Sequence, residues 1–526
     1  MKLTMMIFAI VLYMAYIIYL GVRCSKVNKS SDDFYLGGRK LGPWVTAMSA
    51  EASDMSSWLL MGLPGVALMT AVAGNTTGFA EAVWTAIGLG VGTYLNFLLV
   101  ARPVRLYSER TGSTTIPSFL SDRFGDKKGL LTAIAAVVIV VFFVPYTASG
   151  FSAIGKLLNS IFGVDYHVAM VVGSIVLVAY TVIGGFLAAS VTDLVQSIVM
   201  TVALFVVIGF GVENAGGVSA IRDTILSHEG ISSLGQYFSL FGTDGKSYGL
   251  LPIVSTLAWG LGYFGMPHIL LRFMAIEDEQ KLKISRRIAT VWVFVSMAIA
   301  ILIGVIGFNF AASNGMIGSG SFDAERIIIY VADAIGSLDS FGAVVAGLIL
   351  AGILASIMST ADSQLLAASS SVSENIIKRF FWKDISAKAQ MWLARLTVAV
   401  IAVAAMFLAW DQNSSVFRIV EFAWAGFGAA FGPVILFSLF WRRTNKWGAF
   451  AGVLTGTGVV FLWKFLIRPM GGAWNIYELL PAFVLSAAAI VVVSLLTAAP
   501  EQEIVDTFDE VKALCRKKTD STEKAD

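Results

Sequence analysis

Apolar runs of about twenty residues recur from end to end of this chain, separated by short polar stretches. A run of that length crosses the roughly 30 Å hydrocarbon core of a bilayer as an α-helix. The pattern predicts thirteen spans, near residues 5–22, 44–70, 80–103, 129–157, 166–187, 190–212, 250–276, 287–310, 340–372, 389–409, 416–441, 446–467 and 474–497. Basic residues gather in alternate gaps: Arg102, Arg105, Arg110, Lys127 and Lys128; Lys281, Lys283, Arg286 and Arg287; Lys378, Arg379 and Lys383; Arg442, Arg443 and Lys446; and Arg516 to Lys518. The remaining gaps hold only Arg222, Lys246, Arg326 and Arg468. The positive-inside rule therefore predicts an external N-terminus and a cytoplasmic C-terminus. The first run, Met5 to Val22, lies between Lys2 and the trio Arg23, Lys26 and Lys29. It is too long for a signal-peptide core and no small-residue cleavage site follows, so it reads as a retained span.

Two spans interrupt their own apolar pattern. The first carries Glu51, Ser53, Asp54, Ser56 and Ser57 at its middle, followed by Gly62, Pro64 and Gly65. A charge at the bilayer centre costs about 2.5–3.5 kcal/mol on insertion scales. Irregular backbone is tolerated at that depth only where protein surrounds it or a cavity adjoins it. The second interrupted span carries Gly260, Gly262, Gly265 and Pro267. The two lie five spans apart, the spacing of two inverted five-helix repeats that each open on a discontinuous helix. In the long outer gap 311–339, the stretch Ala324 to Ile335 has helical apolar periodicity and would cap an outer vestibule. After Pro500 the chain is charged in both signs, which predicts a short cytoplasmic helix and a disordered end.

Composition adds exclusions. Only 14% of the 526 residues are charged, against about 25% in soluble domains. A net charge of +2 gives no basis for a nucleic-acid partner. Cys24 and Cys515 fall in polar flanks placed in the cytoplasm, so a disulfide is not expected. His167, His228 and His268 are far apart and have no metal-ligand spacing. No phosphate-binding loop motif occurs, which argues against direct ATP coupling, and no nucleophile–base pair indicates an enzyme.

The candidate chemistry is that of ion and solute binding. Ser356, Ser359, Thr360 and Ser363 stand at i, i+3, i+4 and i+7, on one helical face, with Asp362 on its flank. Hydroxyls on that face and carbonyls freed by a broken partner suit a hard monovalent cation such as Na+. A single serine would only bond back to its own helix; four in register beside an aspartate favour an ion site. Asp193 reads either as a helix cap or as part of such a site. Glu51 and Asp54 are one turn apart and would share a helix face. Arg272, at the inner end of its span, reads as a snorkelling side chain. Arg418 and Glu421 read as a structural i, i+3 ion pair. Trp58, Tyr146, Trp259 and Tyr263 lie near mid-span beside the breaks, where an aromatic cluster suits a small solute with an apolar or cationic body.

Several stretches carry a family resemblance: DDFYLGGRKLGPWVTAMSAEASDMSSWLLMGLPG (32–65), YTVIGGFLAASVTDLVQ (180–196), WGLGYFGMPHILLRFMA (259–275), LASIMSTADSQLL (354–366) and FAWAGFGAAFGPVILFS (422–438). Together they resemble the sodium/solute symporter family, and within it the bacterial proline carriers, over nearly the whole chain. The resemblance implies an all-α polytopic membrane protein with a LeuT-type 5+5 inverted-repeat core and about 13 transmembrane helices. It divides the chain into an extra helix and loop (1–40), a first repeat (41–215), an outer loop (216–249), a second repeat (250–445), two extra helices (446–499) and a cytoplasmic tail (500–526).

The resemblance also implies Na+-driven uptake of L-proline across the cytoplasmic membrane of a bacterium, with no cofactor beyond Na+ as the coupling ion. Na+ ligands carried over by position are the carbonyls of Ala52, Met55 and Ser356 and the hydroxyls of Ser359 and Thr360. Asp54, Asp193, Asp362 and Ser363 either support that site or mark a second ion position. Trp58, Tyr146, Trp259, Tyr263 and Pro267 match substrate-site residues. The chain departs from the pattern at Glu51, where a small residue is usual, at Asp362, and at Met266, which replaces a glutamine. The partners implied are L-proline, Na+ and the lipid bilayer, and one chain suffices. Uptake of another small solute, a transporter-like sensor and a channel stand as the alternatives. The short tail without a signalling domain disfavours the sensor, and two breaks with an aromatic plug disfavour an open pore.

Overall fold

The computed structural model describes residues 2–25, 35–70, 72, 77–228, 231–243, 246–317 and 322–522. Lys26, Lys29 and the last residues of the tail, 523–526, lie outside them. The described chain is nearly all helix, with one two-residue hairpin pairing Gly242–Thr243 with Lys246–Ser247. It is a multi-pass membrane protein. Ten of its described helices are long and apolar enough to cross a membrane, and an eleventh crossing is a pair bent by 46°.

Two further crossings bring this to the thirteen expected. Tyr166–Asn214 is helical over 49 residues, about 74 Å at 1.5 Å per residue and more than twice a bilayer core. It is two spans joined at Gly185, whose φ of 73° and ψ of 179° only glycine adopts without strain. The other is the first interrupted span, too broken to register as one helix. It runs as Pro43–Ala52, then irregular chain, then Trp58–Leu68. Pro43 in the first turn is preset for helix. The helix stops where hydroxyls compete for backbone carbonyls: Ser53 Oγ donates to the Ala50 carbonyl at 3.0 Å.

The second interrupted span follows the same logic with different residues. Leu250–Leu257 tightens into a 3₁₀ run, Ala258–Gly265, and Pro267–Ala275 resumes as α-helix. Pro267 has no N–H to offer and crowds the residue before it, so Met266 is extended, with φ −75° and ψ 109°. This break rests directly on the helix Gly78–Leu95. A Cβ on Gly92 would lie 2.4 Å from the Gly260 oxygen, and one on Gly260 would lie 2.2 Å from the Gly88 oxygen. Backbone meets backbone here, with nothing flexible to yield. Gly92→Ala is therefore expected to cost about 1–3 kcal/mol, read as a lower melting temperature in detergent. Gly458→Ala, in a helix where a new Cβ meets nothing within 4 Å, is the matched control and should be neutral or mildly stabilising.

The periodic stretch in the long gap 311–339 forms a short turn, Ala324–Arg326, and the helix Ile327–Gly336. The tail forms the helix Gln502–Thr522, longer than the short helix the sequence predicts. It is held by Arg110 to Glu510 at 3.0 Å, by Arg442 to Asp509 at 2.9 Å, and by the Arg123 guanidinium 4.8 Å over the Phe508 ring.

Candidate functional site

The first break and the hydroxyl-rich helix Ser340–Val372 meet at one carbonyl. Ser359 Oγ donates to the Ala52 oxygen at 2.7 Å and Thr360 Oγ1 donates to the same oxygen at 3.3 Å. Ser359 also reaches the Ser356 carbonyl at 3.2 Å. Both hydroxyls are buried, and the carbonyl they share is the last of its helix before the unwound stretch. The predicted four-hydroxyl face is divided among three environments. Ser356 Oγ bonds back to the Ile353 carbonyl at 2.7 Å, so its side chain serves its own helix. Ser363 belongs to a separate cluster one turn further on. Met55 sits in the unwound stretch, its N–H on the Glu51 carbonyl at 2.7 Å and its sulfur 3.6 Å from Ser296 Oγ.

That separate cluster corrects the reading of Arg272. Arg272 does not snorkel: its side chain is 1% exposed and pairs with the fully buried Asp193 at 3.3 Å. Its Nε donates to Ser49 Oγ at 3.0 Å, its Nη1 to the His268 carbonyl at 2.9 Å, and its Nη2 to Ser363 Oγ. Ser49 Oγ in turn donates to Asp193 Oδ2 at 2.6 Å, and Ser363 Oγ reaches Asp362 Oδ1 at 3.3 Å. The guanidinium lies 4.9 Å from the Phe186 ring centre. Asp193 is likewise not a helix cap, since it lies inside a helix and faces this cluster. The second segment of the second broken helix, Pro267–Ala275, is thereby tied to the first broken helix, to the helix beyond Gly185 and to the hydroxyl-rich helix.

Asp54 anchors the aromatic cluster. Tyr263 Oη donates to its Oδ2 at 2.7 Å, Tyr146 Oη to its carbonyl at 3.0 Å, and Trp58 Nε1 to the same carbonyl at 2.9 Å. Three of the predicted substrate-site aromatics thus converge on one residue, and the fourth, Trp259, lies 6.3 Å from Trp58 between ring centres. Pro267 contributes by opening the helix below them. Asp54 and Glu51 do not share a helix face as predicted, because the helix ends between them.

The sequence reading did not single out Trp424, Phe417 and Tyr477, which close the cluster. Trp424 Nε1 donates to the Trp259 carbonyl at 2.7 Å, and its ring lies 5.1 Å edge-on to Tyr263. Phe417 and Tyr477 flank Trp259 at 5.2 and 5.4 Å. Trp424 stands in one of the quoted motifs, but aromatics are common in membrane helices and nothing local marks these as partners. Tyr477 comes from the loop before the last span, with its hydroxyl on the Glu421 carbonyl at 2.6 Å. The expected Arg418–Glu421 pair is present at 3.1 Å and extends to Glu81 at 2.9 Å.

A cavity of 390 Å³ is lined by Gly62, Gly65, Met69, Lys156, Glu325 and Ser415 among others. Glu325 is buried in its wall. It pairs with Lys156 at 2.9 Å and accepts from Ser415 Oγ and from the backbone N–H groups of Val416 and Phe417 at 2.7, 3.0 and 3.1 Å. A carboxylate on those N–H groups is favoured by the helix dipole. This joins the Ala324–Arg326 turn to the helix that carries Trp424.

A family model described as the sodium:solute symporter family matches residues 34–456. The high-affinity proline transporter PutP of Bacillus subtilis is 42% identical over 492 residues, covering 93% of this chain and 98% of the relative. The sodium/proline symporter of Escherichia coli K12 is 38% identical over 514 residues, covering 97% of both. Among solved structures, an outward-open Na+-coupled sialic acid symporter superposes with a TM-score of 0.74 at 20% identity, covering 95% of this chain and 99% of the other. The nucleobase-cation symporter Mhp1 superposes with a TM-score of 0.52 at 14% identity, covering 91% and 99%. These structural likenesses bear on the fold alone.

Proposed function

The chain belongs to the sodium:solute symporter family, and from that premise we propose that it is a Na+-coupled carrier of L-proline working by alternating access. The observation that carries the ion half is the meeting of the Ser359 and Thr360 hydroxyls on the Ala52 carbonyl at the helix break. The carbonyls of Ala52, Met55 and Ser356 and these two hydroxyls are the assigned Na+ ligands. Asp54 supplies nearby negative charge, and the cluster of Asp193, Asp362 and Ser363 around Arg272 is a supporting position. The ligands span two helices, so an ion there favours the arrangement that holds the two together.

The solute half rests on the aromatic cluster and on the relatives' transport of proline. A pyrrolidine ring offers an apolar body to Trp58, Tyr146, Trp259 and Tyr263, and its cationic nitrogen suits both their ring faces and the Asp54 carboxylate. Pro267 shapes the break beneath. The five-helix repeats at 41–215 and 250–445 form the moving core, with the N-terminal helix and the last two spans outside it. The basic gaps orient the N-terminus outside and the C-terminus in the cytoplasm.

Reconstituted protein is expected to accumulate labelled L-proline in liposomes under an inward Na+ gradient. Accumulation should fall to background when K+ replaces Na+. Uptake of a different small solute with none of proline would overturn the substrate, and Na+ current independent of any solute would overturn the carrier.

A further inference from the structure

Glu51 takes no part in the arrangement above. It is the penultimate residue in the first half of the broken helix, its side chain is fully buried, and neither carboxylate oxygen has a hydrogen-bond partner. Most of the other buried carboxylates are matched by cations: Asp193 by Arg272, Glu325 by Lys156, Glu421 by Arg418 and Arg468, and Glu478 by Arg468, while Asp362 and Asp126 accept hydrogen bonds from Ser363 Oγ and the Leu131 N–H. Glu51 and Asp54 have no cation partner among the described residues, and the charge acting on Glu51 is that of Asp54, of the same sign. Buried charges are ordinarily paired or bound to a metal.

The surroundings of Glu51 are oxygen-rich. The hydroxyls of Thr93 and Tyr263 neighbour its carboxyl without bonding to it. Thr93 neighbours Tyr263 as well, and it is fully buried with its Oγ1 unbonded. One turn along the same face, Asn96 is fully buried with both amide atoms unbonded. These groups come from the helix Gly78–Leu95, its continuation and the second break, which the glycine contacts hold together. They are on different elements from the hydroxyls of Ser359 and Thr360, which come from the helix Ser340–Val372.

We propose that Glu51, Thr93 and Asp54 form a second Na+ site, distinct from the one at Ala52, Ser359 and Thr360. Two carboxylates and a hydroxyl are the donors a hard cation selects. One positive charge there offsets the second of two like charges that the protein itself leaves unmatched. The site joins the first broken helix to the second through Tyr263, so its filling bears on the aromatic cluster directly. The inference rests on the Na+-coupled reading, and the test separates the two.

The experiment counts radioactive Na+ bound per chain by purified full-length protein in detergent, without solute, for wild type, Glu51→Gln, Thr93→Val and Ser359→Ala. Wild type should bind two ions, E51Q one and S359A one. T93V keeps both carboxylates and the side-chain volume, and should weaken one of the two affinities by tenfold or more. An unchanged count in E51Q, or two unchanged affinities in T93V, overturns the second site. One ion in wild type that S359A removes and E51Q retains also overturns it while leaving the proposed function intact. One ion that E51Q removes and S359A retains supports it and overturns the assignment at Ser359.

Discussion

Removing the Ser359 and Thr360 hydroxyls together, as S359A/T360V, should raise the Na+ concentration needed for half-maximal proline uptake by about 100-fold. Two of the proposed ligands are lost, and at about 1.4 kcal/mol per decade of affinity that shift is about 2.8 kcal/mol, well within what a pair of charge-assisted contacts contributes. Each single variant should give about tenfold. The side chains also satisfy the Ala52 carbonyl, so the double variant leaves that oxygen without its two donors. Melting temperatures of the singles separate this cost from ion binding: a variant that melts normally yet needs far more Na+ has lost a ligand. Uptake with wild-type Na+ dependence in S359A/T360V would place the ion elsewhere.

Arg272→Ala should be the most destabilising single substitution in its cluster. It leaves Asp193 buried without its cation, with Asp362 a short distance beyond Ser363. Removing one partner of a buried pair costs roughly 3–5 kcal/mol, against a total stability of about 5–15 kcal/mol for a typical protein. The expected result is a large fall in melting temperature and in the yield of monodisperse protein. The neutral pair D193N/R272Q restores hydrogen bonding without an orphaned charge and should recover most of the loss. Equal damage in R272A and in the neutral pair would show that the charge balance is not what holds this cluster.

The hydropathy pattern, the alternation of basic gaps and the two interruptions made the thirteen crossings and both breaks legible from the residues alone. Glycine, proline and hydroxyls break helices through their own covalent chemistry, so Ser53 to Ser57 and Gly260 to Pro267 announce themselves locally. What Arg272 meets was not legible. Its partner is 79 residues away, and a basic residue near a span end has the same sequence appearance whether it reaches for headgroups or turns inward. The hydroxyl face was half legible: the period placed Ser356, Ser359, Thr360 and Ser363 on one side, but only the packing shows that the break covers two of them. Tyr477 was invisible because an aromatic near a span boundary is ordinarily interfacial, and its approach to Trp259 depends on how the last two helices fold back.

The contact between the helix Gly78–Leu95 and the 3₁₀ turn at Gly260 has a mechanical meaning. Interdigitated side chains act as teeth, and sliding one element past another then requires rotamers to change together. At Gly88, Gly92 and Gly260 there are no teeth. The two backbones meet as a smooth bearing, stiff against separation because they already touch, yet free to pivot without unlocking any side chain. A cycle that returns to its starting shape at every turnover is well served by such a bearing beside the aromatic cluster. A methyl group added at Gly92 would then act twice, as a clash at rest and as friction on every stroke.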